Sequence, residues 1–167
     1  YDWFGENTIP LNLTDGALEI TFAFVARMTG NSAQSSKQVN SQIGLSDTDK
    51  RFGVAVDKLK VHFFIPGSTV FYDPAGWTAV LTNTGALGAF IITAADGTAR
   101  LEALPGIMPT ALTGTYTPTT APAVESYLYR AEGYSEAIYG ETLVLSRAIT
   151  STEITKLQSY WADKYGS

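Results

Sequence analysis

Four acidic residues raise the question of a hydrolytic site. Cleavage of a glycosidic bond needs two carboxylates, one acting as acid and the other as base or nucleophile. On a strand they would stand at short spacing, as in E-x-D-x-x-E, and the sequence contains no such run. Glu132 and Glu136 flank a segment typical of a loop, while Asp47 and Asp49 lie in a polar stretch. We therefore predict a binding protein rather than an enzyme, with a catalytic site in the loops or between subunits as an alternative.

The single histidine restricts the other kinds of site. His62 alternates with Val61 and Phe63 in a strand-like run, so we expect it at a sheet surface or partly buried. Catalytic triads and histidine-ligated metal sites both need parts that this sequence does not provide. No cofactor is predicted from these residue types.

Tyrosines in turns and loops are the remaining candidates for a binding site. A sugar presents apolar C–H faces that stack on aromatic rings, while polar neighbours fix its hydroxyl groups. Three tyrosines lie in segments expected to be exposed, and two of them have an acidic residue nearby. The predicted ligand-binding residues are Tyr72, Asp73, Tyr116, Glu132 and Tyr134. Rim packing or a subunit interface is the alternative role for each tyrosine.

Composition and charge bound the fold class and the partners. Hydrophobic residues make up 45% of the 167 residues and charged residues only 16%, and Thr, Tyr, Phe and Val suit a pleated sheet. We predict a mainly β chain forming one domain over residues 1–167. The net charge of -5 and the scattered basic residues argue against a nucleic-acid partner. There is no cysteine for a disulfide, and no apolar run is long enough for membrane insertion.

Apolar residues that recur with a period of two predict a succession of short strands. A central strand is predicted over residues 18–26, and residues 52–56 and 59–65 are predicted to form a hairpin. Asp96-Gly97 is typical of a type I′ turn between two further strands. The segment from Pro105 to Pro122 contains four prolines, which predicts a long surface loop. The other predicted strands are residues 42–45, 69–72, 77–82, 89–94, 98–101, 127–130 and 141–145.

One helix is predicted, at the C-terminal end of the sequence. Thr150-Ser151-Thr152-Glu153 has the form of a capping box, in which the Thr150 hydroxyl and the Glu153 carboxylate each bond to the other residue's backbone N–H. The apolar residues that follow fall on one stripe at helical spacing. They are Ile154, Leu157, Trp161 and Tyr165. We predict a short amphipathic helix packed on a sheet, with Gly166 as its stop.

The segment from Gly140 to Glu153 resembles the closing strand and helix start of laminin-G-type, concanavalin A-like domains. Those domains often have G-[DE]-x-x-x-x-x-R-x-L-[ST]-x-x-E followed by a helix that ends in K-Y/W-G, and Lys164-Tyr165-Gly166 supplies that ending. The resemblance covers about 27 residues well, and Gly76-Trp77 followed by Asp96-Gly97 extends it less specifically. It implies an antiparallel β-sandwich (jelly roll) with a short C-terminal helix. It also implies that Trp77 and Trp161 are core residues. Many domains of this type bind calcium through loop carboxylates, so the resemblance implies that Asp47-Thr48-Asp49 could contribute to a calcium site, with a solvated loop as the alternative.

Within this family, threonine-rich members without cysteine resemble the receptor-binding ends of bacteriophage tail fibres. That resemblance implies a homotrimer on the virion, or on another extracellular surface, that binds bacterial surface polysaccharide without cleaving it. The aromatic start, Tyr1-Asp2-Trp3-Phe4, could then join an upstream fibre or seal a trimer seam, with an edge strand as the alternative. A polysaccharide depolymerase and a structural adhesion or trimerisation domain are the alternative functions.

Overall fold

Ten strands and one helix make up the regular structure of the described residues. The computed structural model describes residues 19–28, 39–44, 51–56, 61–72, 87–103, 110–117, 127–130 and 137–165. The strands are β1 (Ile20–Met28), β2 (Val39–Gly44), β3 (Arg51–Val56), β4 (Val61–Ile65), β5 (Ser68–Tyr72), β6 (Leu87–Ala95), β7 (Thr98–Ala103), β8 (Leu112–Thr115), β9 (Tyr127–Arg130) and β10 (Ala137–Leu145). The helix α1 runs over Ser151–Tyr165.

The strands form two antiparallel sheets of five strands each. The first sheet has the order β10-β1-β6-β7-β8, and the second has the order β5-β4-β3-β2-β9. Their facing sides share one core of alternate apolar residues, with Phe22 and Phe24 from β1 against Val54 from β3 and Phe63 from β4. The predicted mainly β fold with two antiparallel sheets is therefore confirmed. The assignment of residues 1–167 to a single domain stays a prediction.

The helix forms a third layer on the outer side of the first sheet. Ala23 and Val25 of β1 and Ala89 and Ile91 of β6 point away from the inter-sheet core and pack with Ile154 and Trp161 of the helix. Trp161 is 1% exposed. Leu157 and Tyr165 complete the stripe as partly buried residues. The predicted amphipathic helix and the core position of Trp161 are confirmed.

Local turn chemistry appears as the sequence predicts. Asp96 and Gly97 have φ values of 49° and 76°, the two positive angles of a type I′ turn, and they join Ala95 to its partner Thr98. Thr150 Oγ1 accepts from the Glu153 N–H at 3.3 Å, and Glu153 Oε2 accepts from the Thr150 N–H at 2.7 Å. The turn and the capping box each form between residues close in sequence, and this is why the sequence alone predicts them.

The proline-rich region contains a strand where the sequence predicts only a loop. Residues 112–115 form β8, which pairs with β7 through Leu101 and Leu112 at the edge of the first sheet. No proline lies between Pro109 and Pro118, so this short stretch can donate to a ladder. Gly114 brings β8 close to the second sheet, because a Cβ there would lie 2.5 Å from Ile65 Cδ1 and 3.0 Å from Val70 Cγ2.

Other predicted boundaries shift or fall outside the described residues. The strand placed at residues 42–45 begins three residues earlier and pairs with both β3 and β9, so the predicted long loop contains a central strand. The strand placed at 141–145 begins at Ala137. The predicted strand over 77–82 with Trp77, the aromatic start, Gly166 and the Asp47-Thr48-Asp49 segment lie outside the described residues. No described helix is long and apolar enough to cross a membrane.

Candidate functional site

The hairpin of β4 and β5 places aromatic residues on the outer face of the second sheet. Val61, Phe63 and Ile65 point into the core, so alternation directs His62 and Phe64 to the opposite face. On β5, Val70 packs against the core and Phe71 is its outward neighbour. A two-residue turn at Pro66-Gly67 fixes the register in which His62 pairs with Phe71, and Gly67 has the φ of 76° that this turn needs.

The geometry of this aromatic group, His62, Phe64 and Phe71, is that of an exposed ring held by its neighbours. The Phe71 ring meets the His62 ring edge-on, with centroids 5.1 Å apart and an interplanar angle of 73°. His62 stacks on Phe64 at 6.2 Å and 30°. Phe71 is 53% exposed, whereas Phe64 is buried and His62 is half-buried. Such a ring offers a flat apolar surface for a ligand.

Of the predicted ligand-binding residues, only Tyr116 has a described side chain, and that side chain is not exposed. Tyr116 is 8% exposed, and its ring meets Phe52 edge-on in the core between the sheets, at a centroid distance of 5.2 Å. Its backbone N–H donates to the Gly97 carbonyl at 2.9 Å. Burial raises the pKa of the Tyr116 hydroxyl. The expectation of an exposed ring is wrong, because β8 directs the chain into the sandwich.

The other predicted residues stay predictions. Tyr72 is the last residue of β5 and directly follows Phe71, and the structure describes its backbone only. Asp73, Glu132 and Tyr134 lie outside the described residues, as do the acidic pairs that raised the question of a hydrolase. Tyr116 and Phe71 lie on opposite sides of the second sheet.

Phe71 is the functional candidate that the sequence did not identify. Residues 69–72 read Thr-Val-Phe-Tyr, and three apolar residues in a row do not reveal which of them faces the core. The hairpin register would have resolved this, because His62 was expected at the sheet surface and Phe71 is its direct partner. The expectation for His62 is confirmed, since it is half-buried on the outer face.

A second group of polar and aromatic residues joins β10 to the C-terminal turn of α1. We call it the Glu141 cluster; its members are Glu141, Tyr160, Trp161, Lys164 and Tyr165. The Glu141 carboxylate accepts from the Tyr160 hydroxyl at 3.0 Å, from Trp161 Nε1 at 3.1 Å and from the Lys164 ammonium. Lys164 Nζ lies 5.3 Å and 5.6 Å from the ring centroids of Tyr160 and Tyr165. The hydrogen bond from Lys164 lowers the pKa of Glu141 and raises that of Lys164.

Contacts in the Glu141 cluster and in the turn before α1 give structural roles to Gly140, Arg147 and Glu153, which belong to the segment that resembles laminin-G-type domains. Gly140 lets the helix approach, because a Cβ there would lie 2.7 Å from Val25 Cγ1 and 3.1 Å from the Tyr165 hydroxyl. Arg147 makes two hydrogen bonds to the capping-box carboxylate of Glu153, at 2.6 and 3.0 Å. These bonds lower the pKa of Glu153 to about 2. These contacts attach the helix to the sheet.

No group of three or more histidine, cysteine or acidic residues that could hold a metal ion occurs among the described residues. The proposed calcium ligands Asp47 and Asp49 are not described, so the calcium site stays a prediction. The described carboxylates of Glu102, Glu141 and Glu153 each pair with a cationic side chain. Their contacts are those of structural ion pairs.

Solved structures with the same fold share little sequence with this chain. Trypanosoma rangeli sialidase in complex with sialic acid is similar over 89% of this chain, with a TM-score of 0.58 and 12% identity. The botulinum neurotoxin serotype D binding domain is similar over 85% of the chain, with a TM-score of 0.60 and 9% identity. A human galectin-16 variant is similar over 84%, with a TM-score of 0.53 and 10% identity. These neighbours are lectin-like β-sandwiches, and at such identities the likeness shows the fold alone.

The share of each neighbour that is matched differs widely. The chain spans 24% of the sialidase and 37% of the neurotoxin binding domain, but 98% of the galectin. No protein-family model and no curated protein matches the sequence. The β-sandwich expected from the resemblance is confirmed, whereas nothing in these likenesses is specific to a tail fibre.

Proposed function

We propose that the chain is a carbohydrate-recognition module that binds its ligand at the outer face of the β4–β5 hairpin. The observation that carries the proposal is the Phe71 ring, which is 53% exposed and supported edge-on by His62. An exposed ring on a rigid strand gives a sugar a stacking surface at little cost in side-chain entropy. Tyr72 and Asp73, two of the predicted ligand-binding residues, directly follow Phe71 in the sequence.

The second part of the proposal concerns the biological role of the chain. The chain serves as the receptor-binding, non-catalytic part of a bacteriophage tail fibre that attaches a virion to bacterial surface polysaccharide. The support for this role is the threonine-rich, cysteine-free composition of a chain whose residues 140–166 resemble laminin-G-type domains. A single stacking ring gives weak binding, and a homotrimer would strengthen it because linked sites bind a repeating polymer with a high effective concentration.

Substitution of Phe71 tests the binding face directly. The protein and its Phe71→Ala variant are applied to an array of bacterial capsular and lipopolysaccharide glycans that also includes sialosides, since one structural neighbour was solved with sialic acid. The variant should lose roughly tenfold or more in affinity for any glycan bound by the parent. Thr98→Ala, an exposed change on the first sheet, is the matched control and should leave binding unchanged. Equal binding by the parent and Phe71→Ala would contradict the proposed face.

Two further measurements address the finer proposals. Release of reducing ends from the bound polysaccharide would favour the depolymerase alternative over a binding module. Light scattering measures the mass in solution, and a monomer of 17.9 kDa at high concentration would contradict the trimer for this chain. Absence of binding to every glycan on the array would favour a structural adhesion role.

A further inference from the structure

We propose that the Glu141 cluster is a second saccharide-binding site, formed where the C-terminal turn of α1 meets β10. The described part of the chain has two large hydrophobic residues that are exposed, Phe71 and Tyr160. They lie on different layers, one on the outer face of the second sheet and the other on the helix that covers the first sheet. The second site rests on contacts that Phe71 does not share.

Tyr160 supplies an apolar surface that helix packing does not use. Its side chain is 47% exposed, whereas Ile154 and Trp161 of the same helix are buried against the sheet. Its hydroxyl group makes two hydrogen bonds, donating to Glu141 Oε1 and accepting from Lys164 Nζ at 2.9 Å. The ring is therefore held in one orientation before a ligand arrives, which reduces the entropy lost on binding.

Beside the Tyr160 ring, Glu141 keeps one unused acceptor position and Lys164 keeps one unused donor. An ionised carboxylate has about four acceptor positions, and Glu141 uses three of them for Tyr160, Trp161 and Lys164. A lysine ammonium has about three donors, and Lys164 uses two of them for Glu141 and Tyr160. Among the described residues no other bond to these two groups is found. An adjacent donor and acceptor match two neighbouring hydroxyl groups of a sugar.

The charge of the cluster selects the class of ligand. The carboxylate of Glu141 and the ammonium of Lys164 cancel, so the cluster does not attract a phosphate, sulfate or carboxylate group by net charge. Both side chains remain partly exposed, at 39% and 43%. An uncharged pyranose with vicinal hydroxyl groups fits these features.

A titration followed by NMR tests this second site on the intact chain. The probes are methyl glucoside, galactoside and mannoside, with methyl phosphate and methylammonium as charged comparisons, each added to about 100 mM so that a Kd of ~10 mM would be nearly saturated. At least one glycoside should change the chemical shifts of the Trp161 indole N–H and of the backbone amides of Tyr160 and Lys164. Lack of such shifts with every glycoside, or shifts with a charged probe alone, would overturn the proposal.

Variants separate this site from the Phe71 face and from a purely structural cluster. Tyr160→Ala and Lys164→Met should each lower the affinity for the glycoside, measured from the chemical-shift changes in α1, by roughly tenfold. Ser159→Ala, a change at an exposed neighbouring residue, should bind like the parent. Phe71→Ala should leave the α1 shifts unchanged, so failure of the first binding face does not remove the second. Thermal unfolding of each variant checks folding. Unchanged shifts in both the folded Tyr160→Ala and Lys164→Met proteins would overturn the second site.

Discussion

Tyr139 and Glu141 lie two residues apart on β10, yet their side chains contact opposite layers. Tyr139 packs into the inter-sheet core, with its ring 6.2 Å from that of Phe24, whereas Glu141 accepts a hydrogen bond from Trp161 on the helix. In a regular strand, residues two apart face the same side. The pairing with β1 shifts by one residue here, so that Gly140 and Glu141 both oppose Val25. This β-bulge turns Glu141 toward the helix.

Replacing Gly140 with valine should destabilise the protein by about 1–3 kcal/mol, because the added side chain would collide with Val25 and Tyr165. Chemical denaturation measures the change, and Thr142→Val, an exposed site on the same strand, is the control. In a Val25→Ala background the penalty of the Gly140 change should shrink, since one of the colliding groups is gone. An equal penalty in both backgrounds would contradict the packing explanation.

Replacing Thr21 with valine should destabilise the protein by ~1–3 kcal/mol although the two side chains have similar shapes. The fully buried Thr21 hydroxyl donates to the Arg147 carbonyl at 2.7 Å and accepts from the Ile149 N–H at 3.2 Å. Valine would leave the Arg147 carbonyl and the Ile149 N–H without this partner. Thr21→Ser keeps the hydroxyl and should retain more stability than Thr21→Val in urea unfolding. Equal loss in the two variants would mean that the hydroxyl contributes nothing.

The Glu153 carboxylate should contribute to stability above about pH 4.5 and lose that contribution as the pH falls through about 2. Its pKa is lowered in the folded state, mainly by Arg147, so protonation weakens the folded protein more than the unfolded chain. Thermal unfolding of Glu153→Gln should therefore give a lower Tm than the parent at pH 7, with the two converging in acid. Added salt should reduce the difference, since the pair is exposed.

Asp163→Asn is the matched control for the Glu153 experiment. Asp163 is exposed on the same helix, and the described residues show no ion pair for it. Its Tm should differ little from that of the parent at either pH. A difference between Glu153→Gln and the parent that does not change with pH would show that packing, and not the charge of Glu153, stabilises the helix start.

Replacing Tyr116 with alanine should cost about 3 kcal/mol or more of unfolding free energy, because it leaves a cavity beside Phe52 in the core. Tyr116→Phe keeps the ring and should be far less destabilising. The two variants are compared by chemical denaturation and by binding to the glycan array. If Tyr116→Phe keeps its stability but loses glycan binding, the predicted ligand-binding role of Tyr116 is supported despite its burial.

Much of the fold could be predicted because its signals are local. The Asp96-Gly97 turn, the Thr150–Glu153 capping box and the apolar stripe through Trp161 each depend on residues within about one turn of structure. The alternation in β1, β3 and β4 likewise appears in the sequence, because one face of each strand is buried in the core. These elements sufficed to predict a mainly β chain with one C-terminal helix, and the resemblance of residues 140–153 to laminin-G-type domains implied the sandwich.

The candidate sites were harder to predict because burial is decided by partners distant in sequence. Tyr116 lies in a stretch rich in threonine and proline, but β8 pairs with β7 and directs its ring against Phe52. Phe71 looks like one apolar residue among three, and only pairing with β4 assigns it to the outer face. Neither placement has a signal within its own segment.

The sequence by itself determined the fold class and the position and cap of the helix. The tertiary structure decided which aromatic rings are exposed and where the charged groups meet. It places Glu141 beside Tyr160 and Lys164 because a bulge in β10 reverses the alternation at Gly140. A shift of one residue in strand register moves a side chain to the other face of a sheet, and that register depends on the neighbouring strand.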